Sequence, residues 1–302
     1  MHVVLLGTAA GGGFPQWNCW CPTCRAVRSS PHRASRRSQS SAAVSVDGRR
    51  WFLLNASPDA REQLDCLPGP IPAGVRHVSV EGIVATDAEL DHTLGIALLR
   101  EARHLQLYAT AAVRQILEQD SRILPVTRAF ARVEVTEMQL GEPVPLRYRD
   151  GEASGVTVEP FEVPAGPPRF ARGHQPGHTV GLILRDQDSG GSCAYVPGCG
   201  GLDQLLLQRL AETDLLLFDG TFWTDDELIS LGIGDRRARE MDHLPVSGPG
   251  GSLALLAGLS RPRRVYVHIN NTNPMLLEGS PERALVERTG VDVGADGMSF
   301  SI

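Results

Sequence analysis

The sequence predicts an α/β protein organised as a single domain over residues 1–302, and three observations point there. Apolar runs of strand length alternate irregularly with helical patterns and gather into two β-rich halves. No linker, internal repeat or low-complexity stretch divides the chain. Several apolar strands end abruptly in His or Asp, the positions from which a sheet collects side chains onto one rim.

HVVLLG (residues 2–7) reads as the first strand and leads into GTAAGGGFPQWNCWCPTC. Gly11, Gly12 and Gly13 permit tight backbone, but the dinucleotide spacing and following helix of a phosphate loop are absent. Cys19, Cys21 and Cys24 form C-x-C-x-x-C, soft ligands that suit a tetrahedral structural zinc and lack only a fourth donor. Three thiols this close, with Trp20 and Pro22 between them, favour zinc over buried free cysteines; Cys66, Cys193 and Cys199 read as buried thiols. Residues 25–37, RAVRSSPHRASRR, carry five arginines and His32 without an apolar face and read as a solvated loop.

SAAVSV and RWFLLNA meet at Asp47-Gly48, a hairpin signal. Ser57-Pro58-Asp59 opens a helix, and LPGPIPAG then reads as a loop. In IVATDAELDHTLG (83–95), Ile83 and Val84 end a buried strand, and Leu94, Ile96, Ala97, Leu98 and Leu99 form the packed face of the next helix. Between them lie Asp87, Glu89, Asp91 and His92. The three carboxylates alternate, so an extended segment would aim them one way, where they repel unless protonated or bound to a cation. A solvated helix cap explains one of them; the set with His92 favours a metal site.

Further along, LQLYAT, VEVTEM, PLRYR and GVTVEPFEV read as strands, and AAVRQILEQ as a short helix. The connection to the next strand ends in Gly177, His178 and Thr179. CAYVPG and TDLLLFDG follow, the latter delivering Asp219. SGPGGSLALLAG opens a helix, and RVYVHINNTNP delivers His268. His243, in DHLPVSG, is a candidate to bind substrate carboxylates or relay protons, with a capped surface loop as the alternative. His174 reads as an exposed loop residue, and Trp17, Trp20, Phe222 and Trp223 as walls of an aromatic pocket or as core.

Composition narrows the classes. A net charge of −6, with 42% apolar and 21% charged residues, suits a soluble globular protein and argues against a nucleic-acid partner. All 29 basic residues are arginine, which excludes Schiff-base lysine chemistry and a P-loop lysine. No apolar run reaches membrane-spanning length, and the N-terminus lacks the basic region of a signal peptide. A cytoplasmic protein with no membrane partner is expected.

The order DxExDH, GHT at 177–179, FDG at 218–220 and VH at 267–268 resembles the metallo-β-lactamase superfamily. More narrowly, NCWCPTCR, TDAELDHTLGIALLRE and VHINNTNPML resemble the PqqB family of pyrroloquinoline quinone (coenzyme PQQ) biosynthesis. The superfamily implies an αββα sandwich with metals at one end of its two sheets. Its hydrolases carry H-x-H-x-D-H, whereas this chain has Asp87 and Glu89 at the first two histidine positions. The resemblance thus implies a damaged first metal site, keeping His178 and a share of Asp219, and a second built from Asp91, His92, His268 and Asp219.

Two histidines and a carboxylate are the ligand set of non-haem iron(II) oxygenases, so the expected working metal is Fe(II) at Asp91, His92 and His268, with dioxygen as co-substrate. Asp87 and Glu89 are then candidate acid/base groups, and His178, Asp219 and His243 candidate ligand-binding residues. The family resemblance implies a crosslinked glutamate–tyrosine substrate derived from a precursor peptide, with other PQQ-biosynthesis proteins as possible partners. Superfamily phosphodiesterases complete a structural zinc with the second histidine of H-x-x-H; here that position is Asn271, with His32, Asp59 or water as alternatives. A soluble carrier of PQQ or its precursor, destined for the periplasm, and a metal-dependent hydrolase are the alternative functions.

Overall fold

The computed structural model describes residues 1–30, 32–67, 75 and 80–302. Fourteen strands are assigned among these residues. In chain order they are β1 (His2–Gly7), β2 (Ser41–Ser45), β3 (Trp51–Leu54), β4 (Val80–Val84), β5 (His104–Thr110), β6 (Arg132–Met138) and β7 (Val144–Arg147). The remainder are β8 (Ala153–Glu162), β9 (Val180–Asp186), β10 (Ser192–Val196), β11 (Leu215–Asp219), β12 (Arg263–Val267), β13 (Val291–Val293) and β14 (Ser299–Ser301). They form two seven-stranded sheets, ordered β14-β1-β2-β3-β4-β5-β6 and β13-β12-β11-β10-β9-β8-β7.

Both sheets change from antiparallel to parallel partway across. In the first, β1–β3 are antiparallel and β3–β6 parallel; in the second, β7–β10 are antiparallel and β10–β13 parallel. Parallel strands deliver their C-terminal ends to the same edge, where ligand sites of α/β sheets collect. The chain leaving β4 carries Asp87, β11 ends in Asp219, and His268 follows β12.

The alternation of side chains across each strand makes the layers. Val3, Leu5, Phe52, Leu54 and Val84 from one sheet meet Val158, Leu182, Tyr195, Leu217 and Val265 from the other in a shared core. The opposite face of the first sheet packs beneath helices through residues such as Trp51, Ile83, Ile96 and Leu124. The outer face of the second is covered through Phe218, Tyr266, Leu210 and Leu256. This is the αββα sandwich implied by the superfamily resemblance.

Several local expectations change. The segment from residue 25 begins inside a helix, Pro22–Ser29, that buries Cys24 and Val27. Arg37 is not solvated: it is buried and donates to Thr8 Oγ1 and the Gly294 carbonyl, tying the first loop to the C-terminal region. Cys66 is exposed, whereas Cys193 and Cys199 are buried. Helix Leu90–Leu98 packs through His92, Thr93, Gly95 and Ile96, while Leu94 and Leu98 face outward. The small Gly95 is what lets this helix approach so closely: a Cβ there would lie 2.2 Å from the Ser57 carbonyl oxygen. LPGPIPAG, expected as a loop, lies outside the described residues apart from Leu67. No described helix is long and apolar enough to cross a membrane.

Candidate metal centre

Asp91 and His92 occupy the first turn of helix Leu90–Leu98, with Glu89 as its N-cap. His268 meets them from the second sheet, 177 residues away in sequence, and places Nε2 3.2 Å from Asp91 Oδ2. His268 has a left-handed backbone, φ 55°, an unfavourable conformation for a non-glycine residue. Flanking bonds hold it there: Ile269 N–H donates to the Thr8 carbonyl and Asn270 N–H to the Thr221 carbonyl.

Each histidine of the cluster has a dedicated partner at Nδ1. His92 Nδ1 lies 2.9 and 2.7 Å from the two Asp87 oxygens. Asp87 is fixed in turn by the Thr86 hydroxyl, and Thr86 is bonded to the buried side chain of Asn55. His243 Nδ1 lies 2.7 Å from Asp219 Oδ2. Thr221 Oγ1 lies 2.6 Å from Asp219 Oδ1 and 2.8 Å from His268 Nδ1. If its single proton goes to the carboxylate, Thr221 accepts from His268 Nδ1–H and leaves the Nε2 lone pair free. Such partners fix tautomer and ring orientation in metal sites.

The donor set fits a metal ion. One ligand atom each from Asp91, His92 and His268 lie within 4.8 Å of one another, as do those from Asp219, His243 and His268. His92 Nε2 is buried without a hydrogen-bond partner, an expense that a metal bond would remove. Burial opposes charging of His92, but Asp87 and then Asp91 outweigh it and hold its pKa up at about 9. Burial likewise works against the Asp91 carboxylate, yet His92 and His268 hold its pKa well below the usual range. Desolvation, reinforced by Asp87 and Asp91, pushes Glu89 up to about 7. Glu89, Asp91, His92, His243 and His268 line a cavity of about 480 Å³ together with Phe222, Arg169, Arg236 and Asn270.

The candidate residues are therefore brought together unequally. Asp91, His92 and His268 converge as expected. His243 joins them, stacked on His268 with ring centroids 5.4 Å apart. Asp87 supports His92 instead of lining up beside Glu89 and Asp91. Asp219 falls within a ligand group, yet it also accepts from the backbone N–H groups of Cys199 and Thr221. His178 joins neither group: it faces His174, with centroids 4.4 Å apart, beside a separate cavity. Trp17 and Trp20 are exposed, while Phe222 is buried at the cavity wall. Sequence reasoning missed Asn55, Thr86 and Thr221; the positive φ of Asn55, 64°, has no signature in composition.

Cys19, Cys21 and Cys24 form a second, separate ligand group. Asn271 Nδ2 donates to their three sulfurs, at 3.2, 3.7 and 3.3 Å. His32 and Asp59 are not part of it, and Asp59 instead accepts from the backbone and side chain of Gln39. Hydrogen bonding, chiefly with Cys24, draws the Cys21 thiol down to about 4, while the same interaction pushes Cys24 up. The group can hold a tetrahedral thiophilic ion such as zinc.

Comparison with known proteins agrees with this architecture. Residues 50–269 match the Beta-lactamase superfamily domain. The chain is 43% identical over 310 residues to the coenzyme PQQ synthesis protein B of Pseudomonas entomophila (strain L48), covering all of both chains. It is similar to the crystal structure of Zn(2+)-bound PqqB from Methylobacterium extorquens, with a TM-score of 0.89, 38% identity and full coverage of both chains. A diphosphatase from the PhnP family, 20% identical with a TM-score of 0.67 over all of this chain and 97% of its own, shares the fold. The full-length match, on top of the sandwich and its ligand groups, places the chain in the coenzyme PQQ synthesis protein B family of the β-lactamase superfamily.

Proposed function

We propose that this protein acts in coenzyme PQQ biosynthesis as an iron(II)-dependent oxygenase that hydroxylates the tyrosine ring of a crosslinked glutamate–tyrosine intermediate. The observation behind this reading is the convergence of Asp91, His92 and His268, with His92 Nε2 buried and without a hydrogen-bond partner. Ferrous iron held by two histidines and one carboxylate, with open positions, supplies dioxygen activation. Asp87 and Thr221 orient the two imidazoles through Nδ1 so that Nε2 is the donor. Glu89 lines the cavity as the acid/base group beside the substrate, and Phe222 provides an apolar wall for an aromatic ring. Arg169 and Arg236 line the same cavity and suit the carboxylates of a diamino acid. At the second site, Cys19, Cys21 and Cys24 would hold a structural zinc that contributes to folding, with Asn271 as fourth ligand through Oδ1 once its amide is turned.

The test is to load the protein with iron without oxygen, admit dioxygen, and analyse the diamino acid by mass. Oxygen incorporation is expected; none, with correctly loaded protein, rejects the reading. A two-metal hydrolase is favoured by one observation, the second ligand group of Asp219, His243 and His268. It requires two metals at this centre together with phosphodiesterase or esterase activity. Tight binding of PQQ or its precursor without turnover by the iron-loaded protein would instead favour a carrier.

A further inference from the structure

Asn270 lines the metal cavity with Phe222 and His268, and the chemistry above makes no use of its side chain. It follows His268 by two residues, where the chain leaves β12. Its backbone is held on both sides: the N–H donates to the Thr221 carbonyl, and the carbonyl accepts from Asn273 N–H. Thr221 also bonds His268 Nδ1, so Asn270 and the ligating imidazole are fixed to the same residue.

The side-chain amide is fixed as well. Nδ2 donates to Thr272 Oγ1, Thr272 Oγ1 donates to Glu227 Oε1, and Glu227 Oε2 accepts from the Trp223 N–H. An ionised carboxylate only accepts, so the single hydroxyl proton of Thr272 goes to Glu227 and Thr272 can only accept from Asn270. Exchanging the amide nitrogen and oxygen would set two acceptors against each other, and Thr272 and Glu227 are buried, which makes the exchange costly. Asn270 stands between the metal cavity and a smaller one of about 340 Å³ beside the cysteines, which Thr272 also lines. With Nδ2 turned to Thr272, Oδ1 has no hydrogen-bond partner among the described residues and is left as a neutral acceptor for the metal cavity.

We propose that Asn270 is a specificity-determining residue: Oδ1 accepts a hydrogen bond from the phenolic O–H of a tyrosine ring lying against Phe222, so the site selects a ring that already carries one hydroxyl. The proposal rests on the substrate class assigned above. A site built to bond a substrate O–H rejects the analogue lacking it, because its own acceptor is then left unpaired. Calorimetry would compare the crosslinked glutamate–tyrosine pair with the same pair lacking the phenolic hydroxyl, with zinc at the Asp91 centre so that no turnover occurs. The proteins are wild type, Asn270→Ala and Thr272→Val, at about pH 8, above the value of about 7 to which burial raises Glu227. Asn270 is half-buried at a cavity wall, so its truncation opens no hole in the core, and circular dichroism checks the folding of both variants.

Wild type should bind the hydroxylated pair at least about tenfold more tightly, about 1.4 kcal/mol. Asn270→Ala should cut that preference to about threefold or less by weakening the hydroxylated pair, with the Kd of the analogue unchanged within about twofold. Thr272→Val, which frees the amide to turn, should lower the preference too; one undiminished there overturns the fixing of the amide by Thr272. Equal affinities in wild type, or a preference undiminished in Asn270→Ala, overturns the assignment of Asn270. Oxygen incorporation by the iron-loaded protein is read separately. A preference that depends on Asn270 without incorporation supports the assignment and rejects the oxygenase reading, whereas incorporation with equal affinities does the reverse.

Discussion

Replacing Asp87 with Asn separates a supporting carboxylate from a ligand. Both Asp87 oxygens lie within 2.9 Å of His92 Nδ1, and neither Asp87 nor Glu89 belongs to a ligand group. A hydrogen bond to a charged partner contributes about 1.5–3 kcal/mol. At about 1.4 kcal/mol per decade, its loss should weaken metal binding by about 10–100-fold. The Asn oxygen can still accept from Nδ1–H, which puts the expected loss near the lower end. Competition with a chelator at neutral pH gives the affinity, with zinc at the cysteine site as an internal control for folding. Glu89→Gln, at the cavity but bonded to no imidazole, should leave metal affinity within about threefold, less than half a decade. Unchanged affinity in Asp87→Asn, or an equal loss in Glu89→Gln, would refute the assignment of Asp87 as the group that orients His92.

Three further outcomes follow from the packing and charge around the two sites. Cys19→Ser should release zinc and lower stability by about 3 kcal/mol or more while the Asp91 centre still binds metal; retained zinc in elemental analysis would reject the cysteine assignment. Gly95→Ala should destabilise by about 2–4 kcal/mol in urea, because the added methyl meets the Ala56 and Ser57 carbonyls that brace the ligand-bearing helix, and an unchanged midpoint would contradict that contact. Burial pushes Glu227 up from 4.5 to about 7 although it accepts from Thr272 and the Trp223 N–H. The folded state therefore holds a proton that the unfolded state releases, and this contribution, complete below pH 4.5, is lost as pH rises through about 7. Stability of the wild type should fall by up to about 3 kcal/mol across that window, and Glu227→Gln should flatten the slope; parallel profiles would exclude Glu227 as its source.

What could be read from the sequence was what depends on local pattern. The strand alternation, the Asp47-Gly48 hairpin and the C-x-C-x-x-C cluster are all short-range signals. Strand ends bearing Asp91-His92 and His268 pointed to one rim because parallel strands share an edge, and β4, β11 and β12 sit in such parallel runs. His243 was ambiguous because its segment is placed by a distant bond, Leu244 N–H to the Cys199 carbonyl. Nor could spacing show that Asp87 faces His92 Nδ1, since the helix starts between them and breaks the alternation of an extended segment. His178 sits at a strand entrance like a ligand, but side-chain direction there depends on the preceding backbone. Gly177, at φ 81°, has its carbonyl held by the Thr110 hydroxyl. Ile96 is buried as its hydrophobicity indicates, but Leu94 and Leu98 face outward because the closest packing of helix Leu90–Leu98 uses Gly95 against backbone, a contact with no apolar signature.

The most direct test of the two-site account is elemental analysis of anaerobically purified protein, wild type beside His268→Ala. The wild type should contain one zinc and one iron per chain, and His268→Ala should lose the iron while keeping the zinc. Iron retained by His268→Ala, or two metals at the Asp91 centre of the wild type, would contradict the account.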